Sequence, residues 1–318
     1  MAADAAAVGS SLDLGASFTN VPGGTATWAF TGGTNYKNQG SSVAIVISQA
    51  DATCTITGYT GTYDATAHGA TGSCAGVAAD AAATGSSLDL GTSFTNVPGG
   101  TANWLFTGGT NYKNQSGSVA ILINKANAVC TVSGYDVVYD GAFHVATGAC
   151  TGVNGVSLGG LSLTSTSHKD AGDYTDTWTF ANATGNYNDA SGTVADQIRH
   201  WTTSGFYQPV DMSGSQLVWN TVKGGSTVPL KFNLMAGAEK KTSVADVKGF
   251  AVGEMACAMS AVEAAVEFTT TGGTQLRYDG SAGQFIQNWQ TPKPSGKCYM
   301  VRMTAQDGST IDAYFKIK

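Results

Sequence analysis

The chain repeats itself. The fifteen residues Ser10 to Gly24 return almost unchanged as Ser86 to Gly100, an offset of 76 from Leu12 to Leu88. Trp28 and Trp104, Tyr36 and Tyr112, Cys54 and Cys130, and Cys74 and Cys150 keep that same 76. A looser third copy follows, with Trp178 and Tyr187 placed 74 and 75 residues beyond Trp104 and Tyr112. A fixed internal period constrains architecture before any single residue is read. This one is too long for a solenoid coil and suits a small β-domain of roughly 70–100 residues. An enzyme needs one singular constellation of groups, whereas an array repeats its surface.

Composition agrees with an array of small β modules. Charged residues are only 12% of the 318 and glycines number 42, against roughly 25% and 7% in ordinary globular chains. Ser, Thr, Asn and Ala fill the positions that Lys and Glu take elsewhere. The net charge is −6 with no run of either sign, so the basic stripe that nucleic-acid binding requires is missing. No stretch approaches 18 apolar residues, hence no transmembrane helix is expected. Met1 to Ala7 lacks the basic and apolar segments of a secretory leader, and the start reads either as an artificial initiator or as a cut from a longer precursor.

Six cysteines fall into pairs on the same schedule. Cys54 and Cys74 lie 20 apart, as do Cys130 and Cys150, and Cys257 and Cys298 remain. Six cysteines permit 15 pairings, but equivalent repeats should form equivalent bonds. The expectation is Cys54–Cys74, Cys130–Cys150 and Cys257–Cys298. A loop of about 20 residues closed this way stabilises by roughly 3 kcal/mol in the chain-entropy account. Disulfides imply an oxidising compartment, outside the cell or at its surface. Zinc is not expected, because no Cys-x-x-Cys or paired histidine occurs at ligand spacing.

Within a repeat the hydrophobic period is two. Cys130 to Tyr135 alternates as a strand, Tyr139-Asp140-Gly141 turns, and a second strand runs through His144 and Ala146 to Cys150. Leu88 to Phe94 gives another strand. Val97-Pro98-Gly99-Gly100 reads as a type II turn, with Pro second and Gly third. Ala102 to Phe106 sends Trp104 and Phe106 to one face, and Val119, Ile121 and Ile123 share a face of the closing strand. The fold class expected is all-β: tandem Ig-like β-sandwich beads arranged as a rod, with a C-terminal β-sandwich-like domain. The divisions read as 1–50, an incomplete repeat lacking its first two strands; 51–125 and 126–198, two full repeats; and 199–318. Either a cut explains the half-repeat, or a neighbouring molecule completes it. In the last segment Ala258 to Phe268 has apolar residues at three-four spacing and reads as a short helix.

Tyr63-Asp64 with His68, and Tyr139-Asp140 with His144, make a repeated Tyr-Asp-x-x-x-His core. Asp170 to Tyr174 forms a corner, and Gly185-Asn186-Tyr187-Asn188 precedes a closing strand. These residues resemble the MBG and related Ig-like modules of bacterial surface proteins. Copies one and two carry Val-Pro-Gly-Gly where that corner stands. Phe206 to Asp211, Asn220 to Gly225, Val228 to Phe232, Leu276 to Asp279, Gln284 to Trp289 and Gly296 to Tyr299 resemble the PxKF domain. Together the two resemblances span nearly the whole chain. They imply large secreted or surface proteins of bacteria and no catalytic activity.

Candidate chemistry is sparse. His68 and His144 occupy one repeat position, which suits a structural role better than catalysis. No nucleophile elbow, His-Glu-x-x-His or phosphate loop is written. Asp170, Asp173, Asp176 and Asp189 surround a turn of the third copy only; they do not match a calcium loop and read as solvated turn acids. The Trp-x-Phe pairs (Trp28/Phe30, Trp104/Phe106, Trp178/Phe180) read as core plugs. Lys231 is either an exposed charge or the partner of an acid such as Asp279. No catalytic, cofactor or metal residue is assigned. The reading is a non-enzymatic extracellular structural protein, a stalk or adhesin segment. Its alternatives are a filament subunit closed by strand complementation, and a module binding a glycan or protein. The expected partners are other copies of itself or surface ligands. The binding reading requires an exposed aromatic patch, expected around Trp201, Phe206 and Tyr207.

Overall fold

The computed structural model describes residues 7–213, 217–258 and 262–318, with no side chains for 262 and 263. The chain divides into two compact units. One comprises Met1–Val129, Thr151–Leu158 and Asn182–Asn188; the other comprises Cys130–Cys150, Gly159–Ala181 and Asp189–Lys318. No α-helix occurs among the described residues; strands and short 3-10 turns make up the regular structure.

In the first unit, β1 (Ser11–Asp13), β2 (Gly23–Thr31) and β3 (Gln39–Val46) form an antiparallel sheet in that order. The next strands are β4 (Thr53–Thr57), β5 (Tyr59–Thr62), β6 (Thr71–Ala75), β7 (Ser87–Asp89), β8 (Gly99–Thr107) and β9 (Gln115–Asn124). They build an antiparallel β4–β6 pair and a sheet ordered β5-β9-β8-β7. The pairings repeat residue for residue. Ser11 faces Thr31 as Ser87 faces Thr107, and Gly24 faces Ile45 as Gly100 faces Ile121. Strand β5 lies parallel to β9, Tyr59 opposite Ile121.

Side-chain alternation explains the layering. Along β8, Ala102 and Phe106 are buried while Thr101, Asn103 and Leu105 face outward. Phe106, Tyr112, Ala52, Ala83 and Cys74 form one core cluster. Gly117 lies opposite Trp104, and a Cβ there would stand 2.8 Å from the indole ring. Trp178 lies over Gly192 in the same way. The Trp-x-Phe pairs thus face inward, Trp104 and Trp178 half-buried and Phe106 and Phe180 at 1% exposure.

Cys54 and Cys74 sit directly opposite on β4 and β6 and are bonded, their Cα atoms 4.0 Å apart. Cys130 and Cys150 are bonded with the same 4.0 Å separation, and Cys257 is bonded to Cys298. Cys130 lies on β10 (Val129–Ser133) and Cys150 on β12 (Thr147–Thr151).

Among the described residues of the first segment, the strands are those of the sheet β1–β3. Its inward residues are more open than their equivalents. Tyr36 is 43% exposed where Tyr112 is 2% exposed, and Ile45 and Ile47 are half-buried where Ile121 and Ile123 are at 1%.

The turn before β8 departs from the sequence reading. The Val97–Pro98 peptide is cis, and the Gly99 N–H donates to the Asn96 carbonyl at 2.8 Å. The turn therefore spans Asn96–Gly99, one residue earlier than a type II turn built on Pro98-Gly99 would. Gly99 has φ +89, and a Cβ would lie 2.0 Å from the Ile121 carbonyl oxygen, so glycine is required.

The remaining strands of the third copy are β11 (Asp136–Val138), β13 (Ser157–Leu158), β14 (Leu161–Ser162), β15 (Gly172–Phe180) and β16 (Ala190–Arg199). In the second unit β11, β16, β15 and β14 make a sheet in that order, with β11 parallel to β16 as β5 is to β9. The C-terminal segment adds β17 (Thr202–Tyr207), β18 (Trp219–Val222), β19 (Thr227–Ala236), β20 (Glu239–Lys240), β21 (Val247–Met255), β22 (Val262–Val266), β23 (Arg277–Asp279), β24 (Gln284–Gln290), β25 (Cys298–Ala305) and β26 (Thr310–Ile317). Two five-stranded sheets result: β17-β19-β24-β23 with β20 paired to β19, and β18-β26-β25-β21-β22.

Their inner faces enclose Leu230, Phe232, Phe285, Trp289, Val301 and Phe315, all at 0% exposure. Burying each aromatic side chain contributes roughly 2–3 kcal/mol, offset in part by lost rotamer freedom. The helix expected over Ala258 to Phe268 is a strand instead: Val262–Val266 pairs antiparallel with β21. Residues 259–261 of that expectation lie outside the described residues. A small apolar run also satisfies strand alternation, and an available edge on β21 decides between the two.

Candidate functional site

The most repeated feature outside the cores is a polar joint between successive copies. Asn111 precedes the buried Tyr112 in the second copy. Its Oδ1 accepts from the Val21 N–H at 3.0 Å and its Nδ2 donates to Asn20 Oδ1 at 2.8 Å. Asn186, ahead of Tyr187, repeats both bonds: Oδ1 accepts from Val97 N–H at 3.0 Å and Nδ2 donates to Asn96 Oδ1 at 2.9 Å. One amide thus grips both a backbone donor and a side chain of the Asn-Val-Pro turn in the copy before it.

The connecting residues are held as well. Ala50 N–H donates to the Asn111 carbonyl and the Ala50 carbonyl accepts from Lys113 N–H, at 2.9 and 3.0 Å. Ala126 makes the same pair of bonds with Asn186 and Asn188, at 3.0 and 2.9 Å. Side chains reinforce them. Gln49 Nε2 donates to the Gly109 carbonyl at 3.2 Å, and Lys113 Nζ lies 3.1 Å from Asp51 Oδ2. Tyr63 packs edge-on against Tyr187, ring centroids 5.5 Å apart.

At the next position Tyr139, the counterpart of Tyr63, packs edge-on against Trp201 at 5.6 Å, and its carbonyl accepts from Trp201 Nε1 at 2.8 Å. Asp307 accepts from the Trp201 backbone N–H, and Lys241 Nζ stands 5.0 Å from the Trp201 ring centroid. Tyr139, Trp201, Lys241 and Asp246 line an open cleft of about 420 Å³.

The aromatic patch that a binding module requires does not exist here. Trp201 and Phe206 are 6% and 2% exposed and belong to the C-terminal core; only Tyr207 reaches solvent, at 37%. Their neighbours explain the burial. Phe206 meets Phe232 edge-on at 5.9 Å, and Trp201 is covered by Tyr139 and Lys241.

All four histidines pair with an aspartate. His68 Nε2 lies 3.0 Å from Asp64 Oδ1, and His144 Nε2 lies 3.0 Å from Asp140 Oδ1. His168 Nε2 lies 2.8 Å from Asp176 Oδ2, and His200 Nδ1 lies 3.3 Å from Asp307 Oδ2. The first site has the residue types of a proton relay and not its geometry. Thr66 Oγ1 and Asp64 Oδ1 both meet His68 on the same nitrogen, Nε2, and Thr66 Oγ1 donates directly to Asp64 at 2.7 Å. A nucleophile–base–acid relay places acid and nucleophile on opposite ring nitrogens. The arrangement ties a turn instead. It holds Asp64 down at about 2, chiefly through the Thr66 hydroxyl, then the Thr66 N–H and His68. Asp140 is lowered by the Ala142 N–H and then by His144.

The third-copy carboxylates are not all turn acids. Asp173 accepts from Gln197 Nε2 and the Asp170 carbonyl accepts from Tyr174 at 2.7 Å. Asp176 sits within β15 and points inward to His168. Asp196, which the turn reading did not include, is 2% exposed. Among the described residues no group of three or more His, Cys, Asp or Glu is placed to hold a metal ion. Asp279 Oδ1 accepts from the Ser281 and Ala282 N–H groups at 3.0 and 3.1 Å.

No family model matches the chain, and no curated protein matches it in sequence. Solved structures are similar at low identity. Sidekick-1 immunoglobulin domains 1–5 are 11% identical, with 95% of this chain and 67% of that one covered at a TM-score of 0.27. A Ca2+-stabilized adhesin by which an Antarctic bacterium reaches out and binds ice is 10% identical, covering 93% and 82% at 0.26. Drosophila OTK extracellular domains 3–5 are 9% identical, covering 70% and 73% at 0.23. The fold class rests on this chain's own strands. Antiparallel pairs of matching register, one parallel edge strand per full copy and a closing sandwich define an all-β tandem array of Ig-like modules.

Proposed function

We propose that the chain is a non-enzymatic structural segment of an extracellular bacterial surface protein, a stalk or adhesin segment. It is built of modules 1–50, 51–125, 126–198 and 199–318. The observation that carries this reading is the joint. The same amide makes the same two bonds to the same turn at Asn111 and at Asn186. Connectors tied to the following module resist bending, which is what spacing or presenting a surface demands. Three disulfides and a low charge content suit an oxidising, protease-exposed setting. The resemblance to MBG-type and PxKF modules points the same way.

The experiment is small-angle scattering of the chain and of a variant carrying Asn111→Ala and Asn186→Ala. The proposal expects a single extended maximum dimension in the native chain and a broader distribution in the variant. A compact native particle, or identical curves, would reject it.

A filament is the second reading, and the openness of the first segment favours it, Tyr36 being 43% exposed and Leu12 58%. Electron micrographs showing fibres that vanish on deleting residues 2–47 would support it, and monodisperse single particles would reject it.

A further inference from the structure

Three columns of the repeat change character together in the third copy. In the first copy they hold Phe18, Ala26 and Ile45; in the second, Phe94, Ala102 and Ile121. Ala26, Ala102 and Ile121 are at most 1% exposed. In the third copy they hold His168, Asp176 and Asp196. The strand register fixes the correspondence. Phe94 bridges His68 as His168 bridges His144. Ala102 faces Val119 as Asp176 faces Val194, and Gly100 faces Ile121 as Tyr174 faces Asp196. A fourth column moves with them. The Phe94 ring covers Gly100, where a Cβ would stand 2.4 Å away. In the third copy Tyr174 takes that place, and the His168 ring stacks on it at 3.7 Å and 3°.

An apolar wedge has thus become a titratable one inside the same sandwich. Asp196 is 2% exposed. Its Oδ1 accepts from the Tyr135 N–H at 3.0 Å, and no donor among the described residues reaches Oδ2. Asp176 holds His168 at 2.8 Å. A buried carboxylate with an unsatisfied oxygen is costly, and two carboxylates in one site do not both ionise readily. A proton on Asp196 removes the repulsion and turns the orphan oxygen into a donor.

We propose that buried Asp196 keeps a proton in the folded chain beside the Asp176–His168 pair, so that the third repeat alone tightens in acid and loosens as pH rises. Burial, then the charge of Asp176, pushes Asp196 above the ordinary carboxylate range. The folded form therefore keeps a proton that the unfolded chain has released. The added stability is full below the unfolded value near pH 4 and is lost as pH climbs through the raised folded value. The other groups facing the two carboxylates are Tyr135, Tyr174 and His168. Burial, then nearby carboxylates, raises both tyrosines, which stay neutral through that window. His144 is engaged with Asp140 at 3.0 Å.

The test uses the full chain. Infrared difference spectra through a pH titration read the carbonyl band of a protonated carboxylic acid directly. The expected result is a band that persists well above pH 4 and disappears in Asp196→Asn. In parallel, exchange protection of residues 172–180 and 190–199 is compared with that of 99–107 and 115–124. Protection of the third repeat is expected to fall more than that of the second as pH rises from 4 to 8. The sister trio His168→Phe, Asp176→Ala, Asp196→Ile is expected to abolish the difference. Absence of the band at pH 5 in the native chain overturns the proposal, even where the variants fail to fold. So does an unchanged pH profile in the folded trio variant.

Discussion

Replacing Asn186 by alanine separates the joint from ordinary surface polarity. Asn186 is only 5% exposed. Its loss strands the half-buried Val97 N–H, while the exposed Asn96 side chain turns to water. A buried donor deprived of its acceptor costs about 1–3 kcal/mol, which is roughly five- to 150-fold in exchange of the Val97 amide. Asn111 makes the same two bonds to partners of matching exposure, Val21 and Asn20, but is itself only half-buried. Water replaces those partners, so Asn111→Ala should cost under about 1 kcal/mol. Hydrogen exchange at Val21 and Val97, read beside urea unfolding, measures both. Equal effects at the two joints, or an unchanged Val97 amide in Asn186→Ala, would refute burial as the source of the difference.

Three other outcomes are expected. Cys74→Ser should lower stability by about 3 kcal/mol, and peptide mapping of the unreduced chain should recover 54–74, 130–150 and 257–298 as the linked pairs. Asp64 should titrate near 2 in NMR, because the Thr66 hydroxyl binds its ionised form; Thr66→Val should move that midpoint upward. Any stability it contributes is present above the unfolded value near 4 and lost only as pH falls through the folded one. Gly117→Val places a side chain against the Trp104 ring, where even a Cβ comes within 2.8 Å; a loss of about 1–3 kcal/mol should appear in thermal unfolding.

The all-β class was legible because apolar residues alternate so regularly along segments such as Ala102 to Phe106, and the offset of 76 aligned one copy on the next. Other features were hidden by what a local pattern omits. Pro98-Gly99 matches a type II turn in sequence, but the carbonyl that closes the turn belongs to Asn96. Ala258 to Phe268 satisfies helical spacing, and pairing with β21 makes part of it a strand. Trp201 and Phe206 stand among breakers and looked exposed; the C-terminal core, assembled from strands far along the chain, covers them. Asp196 looks like any strand residue until its column is set beside Ile45 and Ile121. That comparison is available in the sequence and is the signal that finds the buried Asp196.

Stretching single molecules between their termini, with and without reductant, bears most directly on separately stapled modules. Successive discrete unfolding events are expected. Reduction should lengthen two of them by about 70 Å, the span of a 20-residue loop, and one by about 140 Å for the 41-residue loop. One all-or-none event for the entire chain, or steps indifferent to reductant, would contradict that expectation.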